Sequence, residues 1–300
     1  RQALFKWAIR VCSPMATKPR ADWNLKEKCL YGISYWLVLR ALQNFIGLRR
    51  CSIALTGAAP ISTGILEFFR TIGIPLVEVY GQTESTGVAT AQPVDDVRLG
   101  TVGVPVSGVE VTLGEHNEII MRGGSMFKGY YKSDAATAST LKDGWLHTGD
   151  VGEWRNGQLK IVDRLKDIMI TAGGKNITPA EIESRMKFSP YISDAVVIGD
   201  KRKYLTCLIM IDQDNVEKYA QDRQVPFSNF ASLCRAKEVV DLIDSIITDV
   251  NKQFAQVEQI KYFRLIDVLL TAEDEELTAT MKLKRSFVEK KHKHLIDSMY

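Results

Sequence analysis

The sequence is poor in cysteine. Five occur in 300 residues, and no two form a C-x-x-C pair. An odd number at irregular spacing argues against a disulfide framework and predicts reduced thiols in a cytosolic protein. Cys12, Cys29, Cys51, Cys207 and Cys234 stand in mostly apolar contexts and read as small core residues. Histidine is scarce as well, with four. His292 and His294 form an H-x-H pair beside lysines, with no cysteine or carboxylate cluster to complete a metal site, so they read as part of a solvated helix. Net charge is nearly absent: 39 Lys and Arg against 36 Asp and Glu leave +3, too little to argue for nucleic acid. No uncharged run approaches the ~20 residues of a bilayer span. The most apolar stretch, 30–48, is interrupted by Arg40 and Asn44 and reads as a buried or amphipathic helix. Its Tyr31, Tyr35, Trp36 and Phe45 would also suit peripheral contact with a membrane surface. No signal peptide, repeat or low-complexity tract is visible, and the chain opens Arg1-Gln2-Ala3-Leu4, which reads as an internal start.

What is present is ordinary globular material. Apolar residues make up 45% and charged residues 25%, and the length leaves room for roughly two domains, each with its own core. Residues 1–48 read as helices broken near Ser13-Pro14 and Lys18-Pro19. Cys51–Leu55 reads as a strand meeting the turn Thr56-Gly57-Ala58-Ala59-Pro60. A helix follows over Ile61–Ile72, then a strand over Ile74–Val79, with Tyr80-Gly81 opening a loop. Strand, helix, strand at this spacing predicts a parallel α/β sheet, whose ligands sit at the C-terminal strand ends. From 100 to 162 short alternating runs take over, and Asn156-Gly157 marks a two-residue hairpin. That part reads as a small antiparallel, barrel-like subdomain. After Lys166 the pattern is α+β, with strands at Ala195–Ile198, Tyr204–Ile211 and Tyr262–Ile266 and an amphipathic helix over Val239–Phe254. Glu273–Glu276 is an acidic turn. Met281–Tyr300 reads as a basic helix whose lysines form a solvated face or meet polyphosphate or anionic lipid heads. The charge and pattern shift puts a domain boundary at 165/166.

Three segments carry chemistry in a consistent order. Tyr80-Gly81-Gln82-Thr83-Glu84 combines an aromatic, a glycine, a hydroxyl and a carboxylate suited to a hard cation such as Mg²⁺. Gly144-Trp145-Leu146-His147-Thr148-Gly149-Asp150 presents a carboxylate that can accept from two neighbouring hydroxyls. Asp163–Glu183 runs from a charged joint through a strand and Gly173-Gly174 into a Pro-led helix. Each alone could be a polar loop, a capped turn or a strand-ending turn. Together they resemble the adenylate-forming ligases, the superfamily of acyl-CoA synthetases, luciferases and peptide-synthetase adenylation domains. Thr280-Met281-Lys282-Leu283-Lys284-Arg285, with Met281 where the superfamily usually has Gly, is similar to the long-chain fatty acyl-CoA synthetases.

The resemblance implies ATP-dependent conversion of a long-chain fatty acid to acyl-AMP and pyrophosphate, then transfer to CoA, in a cytoplasmic enzyme with Mg²⁺ as cofactor. An aryl- or medium-chain ligase, or a non-catalytic adenylate-binding module, are its rivals. It implies that Gly57, Ala58 and Ala59 flank adenine and that Tyr80 stacks on it, with Gly81 and Gln82 in the same ATP/AMP-binding segment. Thr83 would meet the α-phosphate, Glu84 hold the metal, Asp150 bind ribose, and Arg164 add a cation beside it. Lys282, with Lys284 as the competing position, would be the catalytic lysine. Lys166 would be the hinge of a smaller, mobile α+β C-terminal domain over 166–300, and Gly173-Gly174 would line the CoA channel. Residues 1–165 would be the end of the large α/β domain, α/β to about 99 and β beyond it. The Ser/Thr/Gly-rich loop that cradles the β- and γ-phosphates has no counterpart here, so the chain reads as the C-terminal portion of a ligase, inactive alone.

Overall fold

The computed structural model describes residues 2–59, 61–268 and 284–300. They fall into two compact units, Arg1–Lys166 and Asp167–Tyr300.

The first unit opens with helices α1 (Gln2–Cys12), α2 (Leu25–Ser34) and α3 (Arg40–Phe45). Asn24 starts α2 through a capping box: its Oδ1 accepts the Glu27 N–H at 2.9 Å, and Glu27 accepts the Asn24 N–H at 2.8 Å. One π-turn, Tyr35–Leu39, joins α2 to α3. This stretch is half-buried rather than buried. Leu39 is in the core and Tyr31 and Tyr35 pack against it, while Trp36 is 68% and Phe45 89% exposed.

Strand β1 (Ala54–Thr56), helix α4 (Thr63–Thr71) and strand β2 (Leu76–Gln82) form the predicted strand–helix–strand unit, with β1 and β2 parallel. The sheet then departs from an all-parallel pattern. Strand β2 turns back into β3 (Gly87–Ala91), and β3 pairs with β4 (Val104–Pro105), both antiparallel. Tyr80-Gly81-Gln82 therefore belongs to a strand, not to a loop after it. A second sheet is antiparallel throughout: β5 (Val109–Leu113), β6 (Glu118–Gly123), β7 (Leu141–Lys142), β8 (Trp145–Arg155) and β9 (Gln158–Arg164), with α5 (Asp134–Thr140) leading into β7. Asn156 and Gly157 both take positive φ, 51° and 85°, at the β8–β9 turn, as the dipeptide predicts. Tyr80, Ala89, Val102, Val109, Ile119, Met121, Leu146 and Leu159 make one apolar core between the sheets.

The second unit begins with the small hairpin β10 (Met169–Ile170) and β11 (Asn176–Ile177), then α6 (Pro179–Met186), with Pro179 at the first helical position. Strands β12 (Ile192–Ile198), β13 (Leu205–Ile211) and β14 (Ile260–Leu265) form its main sheet, antiparallel then parallel. Helices α7 (Gln213–Asp222), α8 (Phe230–Arg235) and α9 (Lys237–Asn251) lie between β13 and β14 in the chain. Helix α9 buries Val239, Ile243, Ile247 and Val250, the stripe its periodicity predicts. The terminal basic segment is two short helices, α10 (Arg285–Lys291) and α11 (Lys293–Asp297), with His292 buried where they meet. Val288, Ile296 and Met299 pack on Val196, Ile198 and Leu208, so this segment is anchored to the sheet and His292 is not solvated. The acidic turn at Glu273–Glu276 lies outside the described residues.

All five cysteines are free; Cys12, Cys207 and Cys234 are core residues, but Cys29 is exposed and Cys51 half-exposed. No helix among the described residues is long and apolar enough to cross a membrane.

Within the second unit Arg285 tethers the terminal segment. Its guanidinium donates to Glu183 Oε1 and to the Val197 carbonyl, both at 2.6 Å, and Glu183 Oε1 also accepts the Val197 N–H at 2.8 Å. Removing one partner of a buried pair leaves the other charge uncompensated. Arg285→Ala is expected to destabilise the protein by about 3–5 kcal/mol in chemical denaturation, and Arg285→Ala/Glu183→Leu to recover part of that. An unchanged midpoint in Arg285→Ala would show that the pair does not hold α10.

Candidate active site

The end of β2 and the middle of β8 meet at Asp150. The carboxylate is 6% exposed. Its Oδ2 accepts from the Tyr80 hydroxyl at 2.7 Å and from Gln82 Nε2 at 2.8 Å. Arg164 Nε, on β9, lies 3.3 Å from Oδ1. Gln82 Nε2 also donates to the Thr148 carbonyl at 3.0 Å. Of the residues singled out in the sequence, Tyr80, Gln82, Asp150 and Arg164 are thus brought into direct contact. Tyr80 is 8% exposed, its ring is part of the core, and its phenol is pushed up by burial and by Asp150. It therefore acts as a donor across the range in which proteins fold.

The turn before Asp150 is held by a residue that sequence reasoning missed. Glu118, at the start of β6, spans it: Oε2 lies 2.8 Å from His147 Nδ1, and Oε1 accepts the Gly149 N–H at 2.9 Å. Thr148 Oγ1 adds a bond to the Ile119 carbonyl at 2.6 Å and accepts the Asp150 N–H at 3.1 Å. Side-chain and backbone bonds together fix where the carboxylate begins.

Beyond Gln82 the chain makes one 3₁₀ turn, Thr83–Ser85, and reverses through Thr86 (φ 58°) and Gly87 (φ 101°). Ser85 Oγ accepts the Gln82 N–H at 2.9 Å and closes the turn from inside. Thr83 is exposed. Glu84 is half-buried, and its Oε1 accepts from the Tyr130 hydroxyl at 2.7 Å. Oε2 accepts no hydrogen bond from the described residues. Among the described residues no cluster of three His, Cys, Asp or Glu could hold a metal by itself. A single carboxylate with one uncommitted oxygen nevertheless fits Mg²⁺, which keeps waters and takes its other ligands from substrate phosphates.

The glycines have distinct reasons. A Cβ at Gly81 would lie 1.7 Å from the Gly87 carbonyl oxygen, so this glycine serves the close approach of β3 and the bulge between Tyr80 and Gly81. A Cβ at Gly57 would meet the Val79 carbonyl at 2.7 Å, which sets the small-residue turn directly beside β2. Ala58 follows at φ 68°, a left-handed backbone costing about 1–3 kcal/mol for a residue with a Cβ. Ala58 and Ala59 are exposed. In the second unit Gly174 takes φ 76° at the tip of the β10–β11 hairpin, whereas a Cβ at Gly173 would meet only Thr171 Oγ1 at 3.9 Å. Neither torsion nor space demands a glycine at 173. Lys166 is exposed at the division between the units. Lys282 lies outside the described residues; Lys284, its rival, is half-buried with Nζ 5.1 Å from the centroid of the Phe287 ring.

Glu78 is a second residue the sequence reading passed over. It sits opposite Thr56, on the same face of β2 as Tyr80, and is nearly buried. Burial pushes its carboxyl up to about 7, against a hydrogen bond from the Ile61 N–H. Its folded value therefore exceeds the unfolded one, near 4.5. Between these values the folded protein holds a proton that the unfolded chain has released, so stability falls as pH rises through about 4.5 to 7 and the cost is complete above that. Glu78→Gln keeps an acceptor for Ile61 and removes the charge. It is expected to stabilise the protein at pH 8 by up to about 3 kcal/mol and to do little at pH 4.5; thermal unfolding at the two pH values reads this, and an equal effect at both contradicts it.

Comparison with known proteins places the chain in a family. The model of the AMP-binding enzyme family matches residues 15–131, and that of the AMP-binding enzyme C-terminal domain matches 166–300. FadD11 of Mycobacterium tuberculosis, whose name places it among the fatty-acid–CoA ligases, is 38% identical over 308 residues, covering 100% of this chain and 53% of that protein. The long-chain-fatty-acid–CoA ligase FadD15 of the same species is 35% identical over 266 residues, covering 88% of this chain and 44% of that protein. The chain thus spans about half the length of the curated relatives it matches. Among solved structures, o-succinylbenzoate-CoA synthetase of Bacillus subtilis in complex with ATP and magnesium superposes with a TM-score of 0.59 at 26% identity, covering 78% of this chain and 45% of the other. Both parts of the family pattern occur in order, and the chain belongs to the AMP-binding enzymes.

Proposed function

We propose that the complete protein to which this chain belongs is a long-chain fatty acid–CoA ligase. It activates the fatty acid with ATP to acyl-AMP, releasing pyrophosphate, and passes the acyl group to CoA. The observation that carries this reading is the buried Asp150 carboxylate, clamped by Tyr80 and Gln82 directly before the turn that carries Thr83 and Glu84. A carboxylate held in one orientation accepts well from the two vicinal hydroxyls of a ribose. Arg164 offsets its charge and adds positive potential for phosphate. Gly57-Ala58-Ala59, small residues set close beside β2, would flank one face of the adenine, and Tyr80 the other. Thr83 offers an exposed hydroxyl to the α-phosphate, and Glu84 presents the oxygen left free by Tyr130. Magnesium, when bound there, neutralises charge on the phosphates.

The second unit supplies the remaining parts of the proposal. Lys282 donates to the carboxylate and the α-phosphate during adenylation, stabilising charge as pyrophosphate leaves. Lys166 is the hinge between the adenylating and thiolating orientations. Gly173, which the fold does not require to be glycine, leaves room for the pantetheine arm of CoA. The β- and γ-phosphates and most of the acyl pocket belong to parts of the relatives' length that this chain does not span.

Three substitutions in the complete protein test the reading. Asp150→Asn keeps an acceptor between the sheets and removes the charge; it is expected to raise the KM for ATP by about 10- to 150-fold, the equivalent of about 1.5–3 kcal/mol for a charged hydrogen bond. Lys282→Ala is expected to cut acyl-AMP formation about 10²- to 10³-fold while sparing conversion of supplied acyl-AMP and CoA to thioester. Lys284→Ala should leave both steps near normal. An unaltered KM in Asp150→Asn removes Asp150 from the nucleotide site. Loss of adenylation in Lys284→Ala with activity kept in Lys282→Ala would assign the catalytic lysine to 284.

A further inference from the structure

Glu84 is held by one segment of chain, residues 125–130, at both its main chain and its side chain. The Phe127 N–H donates to the Glu84 carbonyl at 2.7 Å, and the Tyr130 hydroxyl donates to Glu84 Oε1 at 2.7 Å. Thr86 Oγ1, two residues beyond Glu84, donates to the Ser125 carbonyl at 2.5 Å. The segment therefore clasps the whole turn that presents this carboxylate.

Tyr130 is itself braced. Its backbone N–H donates to Thr137 Oγ1 at 2.9 Å, and Thr137 Oγ1 donates to the Ser133 carbonyl at 3.0 Å, which ties it to α5. Its ring meets the Phe127 ring edge-on, with centroids 4.8 Å apart. Gly129 before it takes φ 146°, and a Cβ there would run into Thr137 Cγ2 at 2.7 Å. The neighbouring Tyr131 shares none of this bracing among the described contacts with Glu84 and is 87% exposed. The sequence Gly129-Tyr130-Tyr131 thus aims one of two tyrosines.

We propose that Tyr130 is a positioning residue for the divalent cation: it takes one oxygen of the Glu84 carboxylate so that the other points to the metal. The proposal rests on the reading of Glu84 as the metal ligand. A carboxylate bound to a cation through one oxygen gains from a partner on the second, because the donor limits rotation about the terminal torsion and stops the group from turning away. Outer partners of this kind are worth on the order of 10- to 100-fold in metal affinity. A phenol suits the task, since it donates without adding a charge that would repel the cation.

Tyr130→Phe retains the ring packing on Phe127 and deletes only the donor. In the complete protein it is expected to raise the Mg²⁺ concentration for half-maximal adenylation about 10-fold, with kcat at saturating Mg²⁺ and the melting temperature unchanged. Mn²⁺ affinity of the ATP-bound protein without fatty acid, read from water-proton relaxation, should weaken by the same factor. Tyr131→Phe should match the wild type in all of these. Glu84→Gln serves as the control for the ligand itself and should weaken Mn²⁺ more than Tyr130→Phe does. If Glu84→Gln weakens Mn²⁺ and Tyr130→Phe stays within twofold of the wild type, Tyr130 does not position the ligand and the proposal is overturned. If Glu84→Gln leaves Mn²⁺ affinity intact, Glu84 is not the ligand, and the proposal falls with that reading. A fall in kcat with no change in either metal titration would mean that Tyr130 supports the turn without acting on the cation.

Discussion

The first unit depends on one buried carboxylate between two sheets. Asp150 is on β8, yet its two closest donors, Tyr80 and Gln82, are on β2 of the other sheet. A buried carboxylate without partners costs several kcal/mol, so these three residues keep together or the sheets separate. The contact also decides how β2 ends. Tyr80 and Gln82 are held in an extended segment up to the residue where the 3₁₀ turn begins, and that turn carries Thr83 and Glu84. A group that the fold needs for cohesion is thereby the group that organises the site.

Around it the support is layered, and each layer comes from a different part of the chain. Glu118 holds the His147–Gly149 turn from behind, and the 125–130 segment holds Glu84 from the side. Gly57 lets the small-residue turn lie close to Val79, where a Cβ would collide with its carbonyl. Sites of this kind work only when the reacting parts stay within a fraction of an ångström of the productive arrangement. Here the proposed ribose acceptor is fixed by Tyr80 and Gln82 of the same segment, and the proposed metal ligand by Tyr130 from outside it. The second unit carries its own tether in Arg285, which holds the start of α10 to Glu183 of α6 and to the Val197 carbonyl of β12.

Much of this was legible in the sequence because the signals were local. Asn156-Gly157 specifies its turn, the stripe of α9 is a matter of period, and Asp150 and Glu84 stand inside short motifs. What escaped was settled by partners far along the chain. Glu118 pairs with a histidine 29 residues away and Tyr130 with a glutamate 46 residues away, and no spacing rule announces either. Tyr80-Gly81-Gln82 read as a loop because glycine usually marks one; Gly81 is instead required by the backbone of β3. Cys29 read as core from its apolar neighbours, but it is on the side of α2 that faces outward. His292 read as solvated beside lysines, but the chain breaks there between two helices and folds it in. In each case local composition was outweighed by packing that only the folded chain defines.

The claim on which the account turns is that the Asp150 cluster serves a carboxylate-activating, adenylate-forming reaction on fatty acids. Exchange of labelled pyrophosphate into ATP by the complete protein, across straight-chain fatty acids from short to long and with CoA omitted, measures that step directly. The account predicts Mg²⁺-dependent exchange that requires a fatty acid and is greatest with long chains. Absence of exchange with every acid, from a folded protein that binds ATP, would contradict it.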